Sequence, residues 1–86
     1  MIIKKQLVKR QVAGDCFLVP VGKTVYDSNG IFVLTPVGAF IWDLIPDAEN
    51  KEDILDKITQ EYDVDRETAE ADLDSFLQKL RDMDII

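Results

Sequence analysis

The side chains best able to do chemistry in this chain are its carboxylates and one thiol. Seventeen Asp and Glu stand against ten Lys and Arg, and there is no histidine. Without histidine the commonest general base and metal ligand is missing, and so is any Ser-His or Cys-His pair. Acid–base work would fall to paired carboxylates. However, Asp63, Asp65, Glu67, Glu70, Asp72 and Asp74 mostly gather near the start of a predicted helix, where negative charge complements the helix dipole. They read as caps and solvated faces. Asp63-Val64-Asp65 lacks the glycine and the distal glutamate of a twelve-residue calcium loop. Cys16 sits in the apolar run Cys16-Phe17-Leu18-Val19, the setting of a buried thiol; a reactive one wants electropositive neighbours. Gly14, Gly22, Gly30 and Gly38 do not make a phosphate-cradling motif. No catalytic residue, metal site or cofactor is expected, and the purified chain should be metal-free and inert alone.

Charge and composition exclude further classes. The net charge is −7, yet residues 1–23 hold five basic side chains against Asp15 alone, while residues 24–86 hold sixteen acidic and five basic. A duplex-DNA binder needs a basic face, and most of this chain is acidic. No apolar run approaches the ~20 residues that span a bilayer. The start, Met1-Ile2-Ile3-Lys4-Lys5, lacks the apolar core and cleavage site of a secretory signal. A single cysteine forbids an internal disulfide and fits a reducing cytoplasm. Eighty-six residues, 47% hydrophobic, suit one small domain spanning residues 1–86 with one core.

The elements follow from periodicity and punctuation. Lys5 to Val12 reads as a strand, Ala13-Gly14-Asp15 as a turn, and Cys16 to Val21 as a second strand with Pro20 at its end. A looser connection follows, with an extended piece at Thr24-Val25-Tyr26 and a turn at Asn29-Gly30. Ile31-Phe32-Val33-Leu34 is a third strand, and strands joined by short turns most simply form an antiparallel meander. Thr35 and Pro36 then suit the N-cap and first position of a helix. That helix runs to Ile45 with Val37, Phe40, Ile41, Leu44 and Ile45 on one face, and Pro46 ends it. Trp42 lies off the stripe, placed to pack against a neighbouring helix or the chain's end. Asn50 caps a second helix reaching about Tyr62. Asp65 caps a third reaching about Met83, with Val64 stapled on Ala69 and an apolar stripe of Ala69, Leu73, Phe76, Leu77, Leu80 and Met83. The fold class is α+β, winged helix-turn-helix-like: a three-stranded antiparallel sheet followed by three helices. The would-be recognition helix, Asp65 to Asp84, holds seven acidic and three basic residues, so phosphates would repel it.

One stretch lacks an obvious purpose. Ile31, Phe32, Val33 and Leu34 carry no charge, proline or glycine, the usual protection of an exposed sheet edge. With Leu73 and Leu80 as the core centre of the third helix, Asp72, Phe76, Lys79 and Met83 share one flank. If that flank runs beside the third strand, the two form a groove able to take an extended peptide as an added strand. On the other reading, Phe76 and Met83 are core and the N-terminus covers the edge.

Several runs together resemble the PqqD-like family, named for coenzyme PQQ biosynthesis. They are Val12-Ala13-Gly14-Asp15, Phe17 to Gly22, Leu34-Thr35-Pro36-Val37-Gly38-Ala39-Phe40-Ile41-Trp42, Glu61 to Asp65, and Asp72 to Leu80. The resemblance covers essentially the whole chain. Members often carry Asn-Glu-Thr where this chain has Thr35-Pro36-Val37, and Lys-Gly where it has Met83-Asp84. The resemblance implies three strands and three helices, and the recognition element of pathways that modify ribosomally made peptides (RiPPs). It implies a non-catalytic peptide-binding chaperone that takes the leader segment of a precursor peptide as a strand against Ile31–Leu34, beside the third helix. The chaperone would present the leader to a modifying enzyme such as a radical SAM maturase. The implied contacts are Ile31, Phe32, Val33, Leu34, Asp72, Phe76, Lys79 and Met83, with no cofactor, nucleic acid or membrane involved. The alternative is a winged-helix interaction or regulatory module that forms a homodimer through the same edge.

Overall fold

The computed structural model of the chain describes residues 1–22 and 32–86. The expected extended piece at Thr24-Val25-Tyr26, the turn at Asn29-Gly30, and Ile31 lie outside the described residues. Strands β1 (Leu7–Val12) and β2 (Asp15–Pro20) are joined by Ala13 and Gly14. Both turn residues have positive φ, 53° and 86°, as a type I′ hairpin requires. Strand β3 (Phe32–Leu34) pairs antiparallel with β2, and the sheet order is β1-β2-β3. The expected meander is present. Its inner face carries Cys16, Leu18 and Leu34, all buried, with Phe32 packed on the same cluster.

The register fixes which main-chain groups of β3 point away from β2. In an antiparallel pair, alternate residue pairs exchange both hydrogen bonds and the rest point theirs outward. The Val21 N–H donates to the Gln6 carbonyl at 2.9 Å, just beyond the Leu7↔Pro20 pair. By alternation Val19, Phe17 and Asp15 also turn their main-chain groups to β1. Cys16 and Leu18 therefore bond to Leu34 and Phe32, their β3 partners. Val33, opposite Phe17, points its N–H and C=O away from the sheet.

One residue separates β3 from helix α1 (Pro36–Leu44). Thr35 Oγ1 accepts from the Gly38 N–H at 3.0 Å, and Pro36 stands where no donor is needed. The buried face of α1 is Gly38, Ile41 and Trp42, continued by Ile45. Val37, Phe40 and Leu44, expected on the central stripe, flank it half-buried. Trp42 is core because α1 meets both β3 and the next helix, so it is covered over a wider arc than one stripe. The α-helix stops just before Pro46, as expected, with Ile45 as its C-cap, and Ile45–Asp47 follow as a turn of 3-10 helix, which tolerates proline at its start.

Helix α2 (Lys51–Glu61) is capped by Asn50 Oδ1, which accepts from the Asp53 N–H at 3.1 Å. Helix α3 (Arg66–Asp82) buries Ala69, Leu73, Leu77 and Leu80. Asp65 holds the N-cap position with extended backbone but makes no side-chain cap hydrogen bond, which corrects the expected cap. Its exposed carboxylate contributes only charge near the dipole. At the other end the Ile85 N–H reaches the Leu80 carbonyl at 2.8 Å and the Asp84 N–H that of Arg81 at 2.9 Å. This is a Schellman turn with Asp84 in the left-handed region, φ 58°.

The chain ends lie together and away from β3. The Met1 ammonium donates to the Ala48 carbonyl and, at 3.3 Å, to that of Ile45. The Lys4 N–H donates to the Ile85 carbonyl at 2.6 Å. The described N-terminal residues thus do not cover the third strand, and no described residue pairs with its outer edge.

Candidate functional site

A cavity of about 330 Å³ opens between the outer edge of β3 and the exposed flank of α3. Phe32 and Val33 line it from the strand, and Asp72, Ser75, Phe76 and Lys79 from α3. The start of α1 closes the back with Thr35, Val37, Gly38 and Ile41. Each wall has a local cause. Leu73, Leu77 and Leu80 are buried beneath α3, so the helical period leaves Asp72, Phe76 and Lys79 along its neighbouring face. Thr35 and Pro36 start α1 at the end of β3, which folds the helix across the base of the groove.

Gly38 sets the depth. A Cβ at this position would lie 3.3 Å from Phe76 Cε1 and 3.2 Å from Thr35 Oγ1. Its absence lets the Phe76 ring rest against the α1 backbone. The same ring meets Phe32 edge-on, with centroids 6.2 Å apart and planes at 77°, a favourable aromatic geometry. The groove therefore has an aromatic floor, with Val33 N–H and C=O on one lip. Asp72 and Lys79 stand two helical turns apart on the other. Both are exposed, and neither makes an ion pair with a described residue.

Of the eight residues the sequence singled out, the structure brings Phe32, Val33, Asp72, Phe76 and Lys79 into this cavity. Ile31 lies outside the described residues. Leu34 is 5% exposed and belongs to the core, because it stands opposite Cys16 on the inner face of the sheet. Met83 is 39% exposed but does not line the cavity; it is the C-cap of α3, where the Schellman turn redirects the chain. Thr35, Val37, Gly38, Ile41 and Ser75 were missed. Ser75 could have been found from the flank pattern, one turn before Lys79. Gly38 could not, since its contribution is a missing side chain.

Cys16 is buried on the inner sheet face. Among the described residues, no three His, Cys, Asp or Glu side chains lie close enough to hold a metal, and no helix is long and apolar enough to cross a membrane.

Fold and groove together define a small winged-helix-like α+β domain with an edge strand, unpaired by any described residue, beside its last helix. The profile of the coenzyme PQQ synthesis protein D (PqqD) family matches residues 20–86, and the chain belongs to that family. Among solved structures it is similar to TbiB1, determined in complex with the TbiA(beta) leader peptide. The two are 33% identical, the match covers 99% of this chain and 93% of that one, and the TM-score is 0.75. No curated protein matches the chain.

Proposed function

We propose that this protein is a RiPP recognition element, a non-catalytic chaperone that binds the leader segment of a precursor peptide and hands it to a modifying enzyme. The observation that carries the reading is the juxtaposition of the outward N–H and C=O of Val33 with the aromatic floor at Phe76. The peptide adds as a fourth strand on β3. Its main chain bonds to Val33, and alternate side chains enter the cavity over Phe32, Phe76 and Gly38. Membership of the PqqD family and likeness to a protein solved with a leader peptide support the same assignment. Asp72 and Lys79 fix the register through opposite charges at the two ends. The modifying enzyme is a radical SAM maturase or a similar catalyst, and the reaction proceeds in the cytoplasm.

The test is to pan a displayed library of random twelve-residue peptides against the chain, then map the enriched peptides by amide chemical shifts. The expected shifts concentrate at Val33, Phe76 and Lys79. Failure to enrich any peptide, or shifts confined to other faces, would overturn the assignment. Loss of those shifts on dilution of the free chain would instead show two copies pairing through the edge.

A further inference from the structure

A second cavity, of about 240 Å³, lies between α2 and α3 and shares two wall residues, Val37 and Asp72, with the groove. It continues the groove past Asp72 toward the α2–α3 junction. Ile58, Val64 and Ala69 supply apolar walls, and Tyr62 a half-buried aromatic one. The Tyr62 ring is held edge-on by Phe40, with centroids 5.4 Å apart and planes at 90°. Two carboxylates, Asp63 and Asp72, complete the lining, and both are exposed. The volume is smaller than the ~300 Å³ from which small-molecule sites begin, but it has room for one long side chain.

The charges single out the occupant. Four of the acids on these helices are already matched. Lys51 reaches Asp74 at 3.0 Å and Glu70 at 3.7 Å. Arg66 reaches Glu52 at 2.7 Å and Asp56 at 2.9 Å. Asp63 and Asp72 make no ion pair with any described residue. Apolar walls, an aromatic ring and two carboxylates that no described cation pairs fit a long side chain with an aliphatic stem and a cationic head.

We infer that this cavity is a specificity pocket for an arginine or lysine of the bound peptide, just beyond the residues that pair with β3. The inference rests on the peptide-binding reading of the groove. The stem lies over Val37 and Val64, and the cation sits between Asp63 and Asp72 beside Tyr62. Arginine is preferred over lysine, because its planar guanidinium stacks on the ring and donates bidentate bonds to a carboxylate. Bound peptides are therefore polarised: basic at the end toward the α2–α3 junction, and free to be acidic at the end toward Lys79.

The experiment uses an enriched peptide from the library, synthesised with arginine, alanine or glutamate at the position beyond the strand core. Titrations are run against the full chain and its Asp63→Asn and Asp63→Asn/Asp72→Asn variants, at low and high salt. The arginine peptide should bind the parent about threefold to tenfold tighter than the alanine peptide, as two partly exposed ion pairs allow. The preference should shrink in the single variant, vanish in the double one and weaken with salt. Thermal melts of the variants should match the parent, since neither aspartate makes an ion pair with a described residue. Peptides that lose binding on Val33→Pro but show no charge preference, or one the variants leave intact, would overturn the pocket while leaving the groove standing. Peptides indifferent to Val33→Pro would overturn the groove, and the pocket with it.

Discussion

Replacing Val33 by proline isolates the main-chain contribution of the groove. The register directs the Val33 N–H away from β2, so the substitution breaks no bond of the sheet. The preceding residue, Phe32, is in a strand, the conformation that proline favours in its neighbour. Edge strands tolerate proline for these reasons, and the fold should survive with about 1 kcal/mol of backbone strain. For a peptide strand the loss is larger. One main-chain hydrogen bond, worth about 0.5–1.5 kcal/mol net, disappears, and the peptide carbonyl left unpaired costs about 1–3 kcal/mol more. Together these weaken binding by at least about tenfold. Val33→Ala is the control. The side chain is 64% exposed, so truncation should change stability by less than ~0.5 kcal/mol and affinity by less than about threefold. Fluorescence anisotropy with a labelled library-derived peptide measures affinity, and thermal melts report the fold. If folded Val33→Pro binds as tightly as Val33→Ala, the peptide does not pair with β3 and the strand-addition argument is wrong.

Other perturbations test separate parts of the reasoning. Phe76→Ala should cost about 2 kcal/mol of stability, below the 3–5 kcal/mol of a fully buried phenylalanine because the ring is half-exposed, and should lower peptide affinity at least fivefold by titration. Lys79→Glu should leave the melting midpoint within the ~0.5 kcal/mol usual for surface changes while weakening peptides with an acidic residue at that end. Asp84→Gly should stabilise the chain by about 0.5–1 kcal/mol in denaturant melts, since glycine takes the left-handed C′ position without steric cost and the exposed Lys4–Asp84 pair lost in exchange is worth little. The hydrogen bond to Asp74 chiefly, then the charges of Asp74, Glu70 and Glu52, raise the Lys51 pKa above the ordinary 10.5. Its stabilisation is fully present below the unfolded-chain value and is lost as pH rises through the raised folded value. The gap in melting temperature between the parent and Lys51→Met should therefore be constant from pH 7 to 9 and close above about 10.5.

Much of this was legible in the sequence wherever a local rule had no competitor. Thr35-Pro36 could start only a helix, and the periodicity of Ala69, Leu73, Leu77 and Leu80 left Asp72, Phe76 and Lys79 on one flank. Where tertiary packing decided, the reading slipped. A three-residue strand with apolar side chains on both faces offers no alternation to phase, so Leu34 could not be assigned to the core before its pairing with Cys16 was known. Met83 continues the helical pattern, but the turn at Asp84 ends the helix there. Trp42, off the central stripe and expected against a neighbouring helix or the chain's end, is buried where α1 has a second contact surface. Gly38 escaped because patterns count side chains, and its part is to leave room for Phe76.

The two edges of the sheet make the strongest case that the groove has a use. On the edge strand β1, Lys9, Arg10 and Gln11 are all exposed, and Lys9 is tied to Asp43 of α1. Charged, bridged residues of this kind discourage a second strand from adding there. Across the same sheet, β3 presents Phe32, Val33 and Leu34 with no charge and no proline, and Val33 remains 64% exposed. If an open edge were only a hazard, selection against aggregation would act on both. Protection on β1, and none from the described residues on β3, places this edge beside an aromatic cavity, flanked by charges of opposite sign that pair with no described residue. A lysine at Val33 would remove the hazard at almost no cost to the core, because that side chain already faces water. Its absence is what a strand kept free for a partner requires.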